Sequence, residues 1–200
     1  MNFGVLRVVN DDLISSNTGF GFHPHKDMEI VSYVVNGELT HGDNLGDKNT
    51  ISRGNVQYMS AKTGIVHSEH NYGYNTTRFL QIWIITNKKD LKPNYGDYHF
   101  YWDDRKNKWL QIVSSTNGDA LIKINQDANI NVIELDKNME IDFEVGIGRQ
   151  AYLIQIEGDS EINNLELVSK DALEIVEENI KIKAIEKSHV MVIGIKKEEK

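Results

Sequence analysis

The chain has 200 residues, 30 of them acidic and 22 basic, with seven histidines, no cysteine and a formal net charge of −8 at pH 7. That charge argues against a surface built to bind nucleic acid or an anionic membrane, and the lack of cysteine excludes disulfides, thiolate nucleophiles and sulfur-ligated zinc or iron. No apolar run approaches the roughly 18 residues of a membrane span, and no signal peptide is recognisable. We therefore expect a soluble, cytoplasmic protein of one or two domains.

Short apolar segments separated by turn residues run through the whole chain. Clear examples are 29–35, 79–85 and 151–156, which are rich in β-branched and aromatic residues, as strands are. Asn36-Gly37 and Gly158-Asp159 each follow such a segment and are typical of hairpin turns. The best helix candidate, 173–178, fits a strand equally well. This pattern predicts an all-β fold, either a sandwich or barrels.

The histidines are distributed unevenly along the chain. Six of the seven lie before residue 100, and His189 alone lies in the second half. A polar cluster at 114–119 separates apolar runs, which is typical of a domain boundary. We therefore predict two domains with different chemistry, residues 1–115 and residues 116–200, and we interpret His189 as a structural residue.

Two short motifs place potential metal ligands in strand-like surroundings: His23-Pro-His25, with Glu29 after it, and His67-Ser-Glu69. Side chains two residues apart point to the same face of a strand, so two neighbouring strands would bring four donors around one ion. Either motif alone occurs often by chance, and their joint occurrence favours a metal site. Imidazole with a carboxylate suits Fe, Ni, Co, Mn, Cu or Zn. Four ligands on an ion that prefers six leave positions open for substrate, which favours catalysis.

These motifs resemble the two signature motifs of the pirin family, and most closely those of the bacterial pirin-like quercetinases. The resemblance extends over nearly the whole chain, and its strongest part is the tract Gly54-x-x-Gln57-x-Met59-Ser60-Ala61-x-x-Gly64-Ile-x-His67-Ser-Glu69. It implies a bicupin, that is, two tandem cupin (jelly-roll β-barrel) domains, of which 1–115 binds the metal and 116–200 is degenerate and carries none.

The resemblance also implies which residues hold the metal: His23, His25, His67 and Glu69. In many other cupins the carboxylate ligand belongs to the first motif, which would nominate Glu29. The pirin pattern takes it from the second motif, so we expect Glu69 to be the ligand. Glu29 would then lie behind the ligands, where it could orient a histidine.

The activity that the resemblance implies is that of a metal-dependent quercetin 2,3-dioxygenase, which opens a flavonol-like ring with O2 and releases carbon monoxide. Glu69 would act as the catalytic base toward the 3-hydroxyl of the substrate. Iron is the metal that the resemblance favours, with Ni, Co, Mn, Cu or Zn as alternatives. Aromatic residues such as Tyr33, Tyr58 or Trp83 could line the cavity, although buried aromatic residues more often belong to the core.

Two other functions are compatible with the same residues. One is a non-catalytic, iron-binding, redox-sensing regulator that binds a transcription factor or an enzyme partner. The other is a different cupin activity, such as an isomerase, because a fold does not dictate its function. Relatives usually have further residues ahead of the Gly4-Val-Leu-Arg segment, and we expect the short front end to leave a sheet edge that could pair in a homodimer.

Overall fold

The computed structural model describes residues 2–44, 46, 48–61, 64–87 and 94–197, and nearly all of its regular structure is β-strand. The strands up to residue 98 are β1 Leu6–Ile14, β2 Thr18–His25, β3 Met28–Asn36, β4 Glu38–Asp43, β5 Lys48–Ser52, β6 Val56–Ser60, β7 Ile65–Asn71, β8 Thr77–Ile85 and β9 Asn94–Tyr98. A short 3-10 helix, Trp102–Arg105, follows.

The remaining strands are β10 Leu110–Ser115, β11 Ile122–Ile124, β12 Ala128–Leu135, β13 Glu140–Phe143, β14 Arg149–Glu157, β15 Ser160–Ile162, β16 Leu165–Leu167, β17 Ala172–Val176, β18 Ile180–Ala184 and β19 Ser188–Lys196. The predicted all-β fold is confirmed. The segment 173–178, for which helix and strand were equally suitable, lies mostly in strand β17.

The chain folds into two compact units. The first runs to Tyr101 and includes Ile124–Gln126, and the second comprises Trp102–Lys123 and the chain from Asp127 onward. Strand β10 ends at Ser115 and pairs with β12 inside the second unit. The unit boundary therefore falls earlier in the chain than residue 115, and the domain limits 1–115 and 116–200 stay a prediction.

The first unit consists of two antiparallel sheets, with strand orders β1-β8-β3-β6-β9 and β2-β7-β4-β5. Two apolar clusters fill its interior. One contains Val34 and Phe79 together with residues of β1, β4 and β5, and the other contains Ile30, with Trp83 packed against it. Because β3 and β8 pair as Ile30↔Trp83, Ser32↔Gln81 and Val34↔Phe79, a polar layer lies between the two apolar ones.

The second unit repeats the strand order of the first. Its larger sheet contains the order β12-β19-β14-β17, which matches β1-β8-β3-β6, and its smaller sheet has the order β13-β18-β15-β16, which matches β2-β7-β4-β5. One apolar cluster fills its interior, with residues from both sheets. The chain therefore contains two tandem copies of one β-barrel arrangement.

Glu29 on β3 is a fully buried carboxylate that holds a distant loop within the first unit. Its Oε1 accepts hydrogen bonds from the backbone N (2.7 Å) and Nδ2 (2.7 Å) of Asn125 and from the Tyr58 hydroxyl (3.2 Å), and its Oε2 accepts one from Gln126 N (3.0 Å). Hydrogen bonds to a charged acceptor are among the stronger ones in proteins. The carboxylate therefore ties residues 125 and 126 to β3.

We expect Glu29→Gln to lower the free energy of unfolding by about 2–3 kcal/mol, because an amide NH2 would face backbone donors in place of an acceptor. Urea denaturation of the purified variant measures this loss. Glu38→Gln, on the exposed start of β4, is the matched control and should change stability by less than about 0.5 kcal/mol. Equal effects of the two substitutions would contradict the structural role of Glu29.

Candidate metal centre

Strands β2 and β7 of the smaller sheet bring the two sequence motifs together. Their antiparallel pairing places His23 opposite His67 and His25 opposite Ile65. Alternation along β7 then turns His67 and Glu69 to the buried side, at 0% and 1% exposure. Residues far apart in the chain therefore meet in the polar layer of the first unit.

His23, His25 and His67 form a compact group of imidazoles. One ring nitrogen from each lies within 4.8 Å of the others, and the ring centroids are 4.4–4.9 Å apart. Nδ1 of His23 lies 2.8 Å from the carbonyl oxygen of Gly21. That contact suits an Nδ1–H donor and leaves the Nε2 lone pair available.

The buried ring nitrogens of this group fit a metal ion. Nε2 of His25 and Nε2 of His67 are both buried, and neither has a hydrogen-bond partner in the part of the chain that the structure describes. Leaving such atoms without a partner costs about 1–3 kcal/mol each, and coordination would satisfy them. Three neutral imidazoles are typical ligands of first-row divalent metals. The group could therefore hold one.

The protonation of the two buried imidazoles agrees with this assignment. Burial lowers the pKa of His25 to about 4, and His23 nearby adds to the effect. Burial also lowers the pKa of His67, to about 2, together with His23, His25 and His41 around it. Both rings are therefore neutral at pH 7, which is the form that binds metal.

Glu69 lies next to the histidines, but its place as a fourth ligand stays a prediction, since it is not part of the 4.8 Å group. Its Oε1 accepts a hydrogen bond from Ser32 Oγ (3.1 Å) and its Oε2 accepts one from Gln81 Nε2 (2.6 Å). Burial raises the pKa of this carboxyl, while the bonds from Gln81 and Ser32 oppose the rise. Each oxygen keeps a further lone pair that is free to accept a proton or bind an ion.

A short chain of hydrogen bonds orients the Gln81 amide toward Glu69. Trp83 Nε1 donates to Gln81 Oε1 (2.8 Å), so the NH2 group of Gln81 is the part that faces the carboxylate. The Trp83 ring also lies edge-on to His25, with centroids 4.8 Å apart. Trp83 thus borders the site, as the sequence suggested.

The sequence assigned no role to Ser32, Gln81, Gln57 or His41, which the structure places around the motif residues. His41 lies in the polar strand β4 and gave no signal of such a role. For Ser32, Gln57 and Gln81 a signal was present, because each is a polar residue within a mostly apolar strand. Its meaning depended on which strands pair, and that information is not local. His41 contacts Asp43, Gln57 and His67.

Glu29 does not contact a histidine among the residues that the structure describes. The hypothesis that it orients a histidine is therefore not supported by the geometry, since its four hydrogen bonds go to Tyr58, Asn125 and Gln126. An acceptor already occupied by four donors is also poorly suited to bind an ion.

The second unit has apolar residues at the corresponding strand positions. Strands β13 and β18, which match β2 and β7, pair as Ile141↔Ile182 and Phe143↔Ile180, and all four side chains belong to or pack on its apolar core. His189 is buried, and its Nδ1 lies 3.3 Å from Glu157 Oε2. Within the described ranges, three imidazole or carboxylate groups converge as a possible metal site only in the first unit.

Two tandem β-barrels, with a three-histidine group in the first alone, define this protein as a bicupin. Sequence models agree with the structure: that of the pirin family matches residues 2–84, and that of the quercetinase C-terminal cupin domain matches residues 111–195. The chain belongs to the pirin family.

Individual relatives match the chain over nearly its whole length. A pirin-like protein of Caulobacter vibrioides is 40% identical over 195 residues, which cover 96% of this chain and 84% of the relative. The quercetin 2,3-dioxygenase of Escherichia coli K12 is 36% identical over 197 residues, 98% of this chain and 84% of the relative.

Solved structures of the bacterial pirin YhhW from Escherichia coli have the same fold. One superposes with a TM-score of 0.93 at 33% identity and covers 100% of this chain and 85% of that protein. A second, in complex with nickel(II), superposes with a TM-score of 0.92 at 33% identity and covers 99% and 85%. In the described part of this chain, no helix is long and apolar enough to cross a bilayer.

We expect His23→Ala and His67→Ala to abolish stoichiometric metal binding, because each removes one of three converging ring nitrogens. Wild-type protein mixed with nickel and desalted should retain about one ion per chain by elemental analysis. His70→Ala is the matched control, since His70 lies on the same strand but on its other face, stacked on Tyr72. Retention of metal by the His67 variant at the level of the control would contradict the assignment.

Proposed function

We propose that this protein is a metal-dependent dioxygenase of the quercetin 2,3-dioxygenase type, which opens a flavonol-like ring with O2 and releases carbon monoxide. The observation that carries the proposal is the convergence of three imidazoles beside one buried carboxylate in a pirin-family barrel. We further propose His23, His25, His67 and Glu69 as the metal ligands. The name of the Escherichia coli relative supports the reaction class.

Glu69 has the properties of a general base for the 3-hydroxyl of the substrate. Burial raises the pKa of its carboxyl, and a raised pKa brings a carboxylate closer to the range in which it accepts a proton efficiently near pH 7. The hydrogen bonds from Ser32 and Gln81 hold one oxygen each. The group is therefore oriented before the substrate arrives, which lowers the cost of proton transfer.

A bound divalent ion would supply positive charge, which favours both the carboxylate form of Glu69 and the ionised 3-hydroxyl of the substrate. The protein itself orients the Glu69 carboxylate and surrounds the site with side chains of low polarity. Trp83, edge-on to His25, offers an aromatic surface at the border of the site for a planar aromatic substrate. Met59 and Ile65 extend the apolar cluster against which Trp83 packs.

Iron is the native metal that we propose, in line with the resemblance to pirins. The ligand set itself does not choose among Fe, Mn, Co, Ni, Cu and Zn, and affinity alone favours copper. Nickel is present in the complex of the related YhhW structure. Elemental analysis of protein purified without added metal identifies the native ion.

The activity test uses apoprotein reloaded separately with Fe, Mn, Co, Ni or Cu and mixed with quercetin under air. We expect O2 uptake and carbon monoxide release with at least one metal. Glu69→Gln should lower turnover per bound ion by about 100- to 10,000-fold, because the base is lost, whereas Glu38→Gln should leave it unchanged.

Metal content separates the two roles proposed for Glu69. If Glu69 is a ligand, Glu69→Gln should also weaken metal binding, while Glu29→Gln should keep its metal. Loss of metal in the Glu29 variant alone would reverse the choice between the two carboxylates. Absence of turnover with all five metals would contradict the proposed enzyme activity.

A further inference from the structure

His41 on β4 lies behind the three-histidine group, between Asp43 and His67. Its Nε2 lies 3.0 Å from Asp43 Oδ2, and the side chains of both residues are fully buried. Its Nδ1 lies 3.4 Å from Nδ1 of His67. Pairing of β4 with β7 brings these residues together, with His41 opposite Glu69 and Asp43 opposite His67.

The contact with Asp43 determines which nitrogen of His41 carries the hydrogen. A carboxylate only accepts hydrogen bonds, so the nitrogen that faces it, Nε2, is the N–H donor. In the neutral ring, Nδ1 is then an acceptor. Gln57 also lies against this atom: its amide nitrogen Nε2 is 3.1 Å from the same Nδ1, whose single lone pair it shares with His67.

The state of His41 in turn determines the state of His67. Two facing ring nitrogens attract each other only when one carries a hydrogen and the other a lone pair. Because Nδ1 of His41 is the acceptor, Nδ1 of His67 is the donor. The lone pair of neutral His67 is then on Nε2, which is the buried atom without a hydrogen-bond partner among the described residues.

We propose that His41 is a positioning residue, which together with Asp43 holds His67 in the Nδ1–H tautomer and aims its Nε2 at the metal. The inference rests on the metal site of the proposed function and assigns it a support that the ligand motifs do not contain. A hydrogen-bond acceptor behind a ligating histidine orients the ring and raises its basicity, and here that acceptor is His41, which Asp43 contacts in turn.

Packing around His41 holds its ring in the required plane. The Tyr95 ring stacks on it, with centroids 4.3 Å apart and planes inclined by 16°, and Gln57 contacts it from β6. His23, which is only partly buried, is supported differently, since its Nδ1 contacts the carbonyl oxygen of Gly21. A backbone acceptor suffices for His23, whereas His67 depends on a side chain.

The test measures the nickel dissociation constant of the full-length apoprotein by competition with a chelator. His41→Leu removes the acceptor, and Asp43→Asn removes the group that fixes the His41 tautomer. We expect each to weaken nickel binding by about 10- to 100-fold. Asp97→Asn is the matched control, because Asp97 is also a carboxylate beside a histidine, His99, in the same unit. It should leave the constant unchanged.

Two further measurements separate positioning from a general structural effect. His41→Asn places an amide near the former Nδ1 and should recover part of the affinity that His41→Leu loses. In the cobalt(II) protein, the exchangeable ring N–H proton of His67 should be protected from exchange in the wild type and exposed in Asp43→Asn. Thermal unfolding of each apoprotein shows whether the variant is folded.

The outcomes are distinct. Equal nickel affinity in the wild type and in folded His41→Leu and Asp43→Asn overturns this inference and leaves the proposed metal site intact. Failure of the wild type itself to bind nickel overturns the metal site and the positioning role with it. Loss of affinity in Asp97→Asn to the same extent also overturns the inference, because the effect would not depend on contact with His67.

Discussion

The cost of burying polar side chains is the constraint on which the first unit depends. Its polar layer lies between two apolar clusters, where a group without a partner is strongly unfavourable. Glu69 meets this constraint through Ser32 and Gln81, and Gln81 does so through Trp83. The buried ring nitrogens left without a partner in the described structure are those that face the metal position. Glu69 and Gln81 are thus paired with neighbouring side chains, whereas Nε2 of His25 and Nε2 of His67 would be satisfied by a bound ion.

The second unit shows the same architecture without that constraint. Its strands repeat the order of the first, but the positions that match the histidine strands carry Ile141, Phe143 and Ile182. These residues belong to or pack on an apolar cluster built from both sheets of the unit. One strand arrangement accommodates a three-histidine group or a packed apolar cluster, depending on a few inward-facing residues.

Particular residues show how far the sequence could be interpreted. Alternation within each motif was enough to predict that His23 and His25 share a face, and the pairing of β2 with β7 confirms that they meet His67. The role of Glu29 was harder to predict from the sequence, because its partners Asn125 and Gln126 lie 96 and 97 residues away along the chain. Such contacts depend on how loops pack against strands, which no local pattern encodes.

By itself, the sequence determined the all-β class and the histidine motifs, because strand alternation and turn residues are local properties; the two tandem cupin domains were implied by the resemblance to the pirin family. The tertiary structure decided which polar residues support those motifs. It placed His41 behind His67 and Gln81 beside Glu69. It also showed that Glu29 accepts hydrogen bonds from the loop at residues 125 and 126. The physical reason is cross-strand register, since shifting a strand by a single residue turns all of its own side chains to the opposite face.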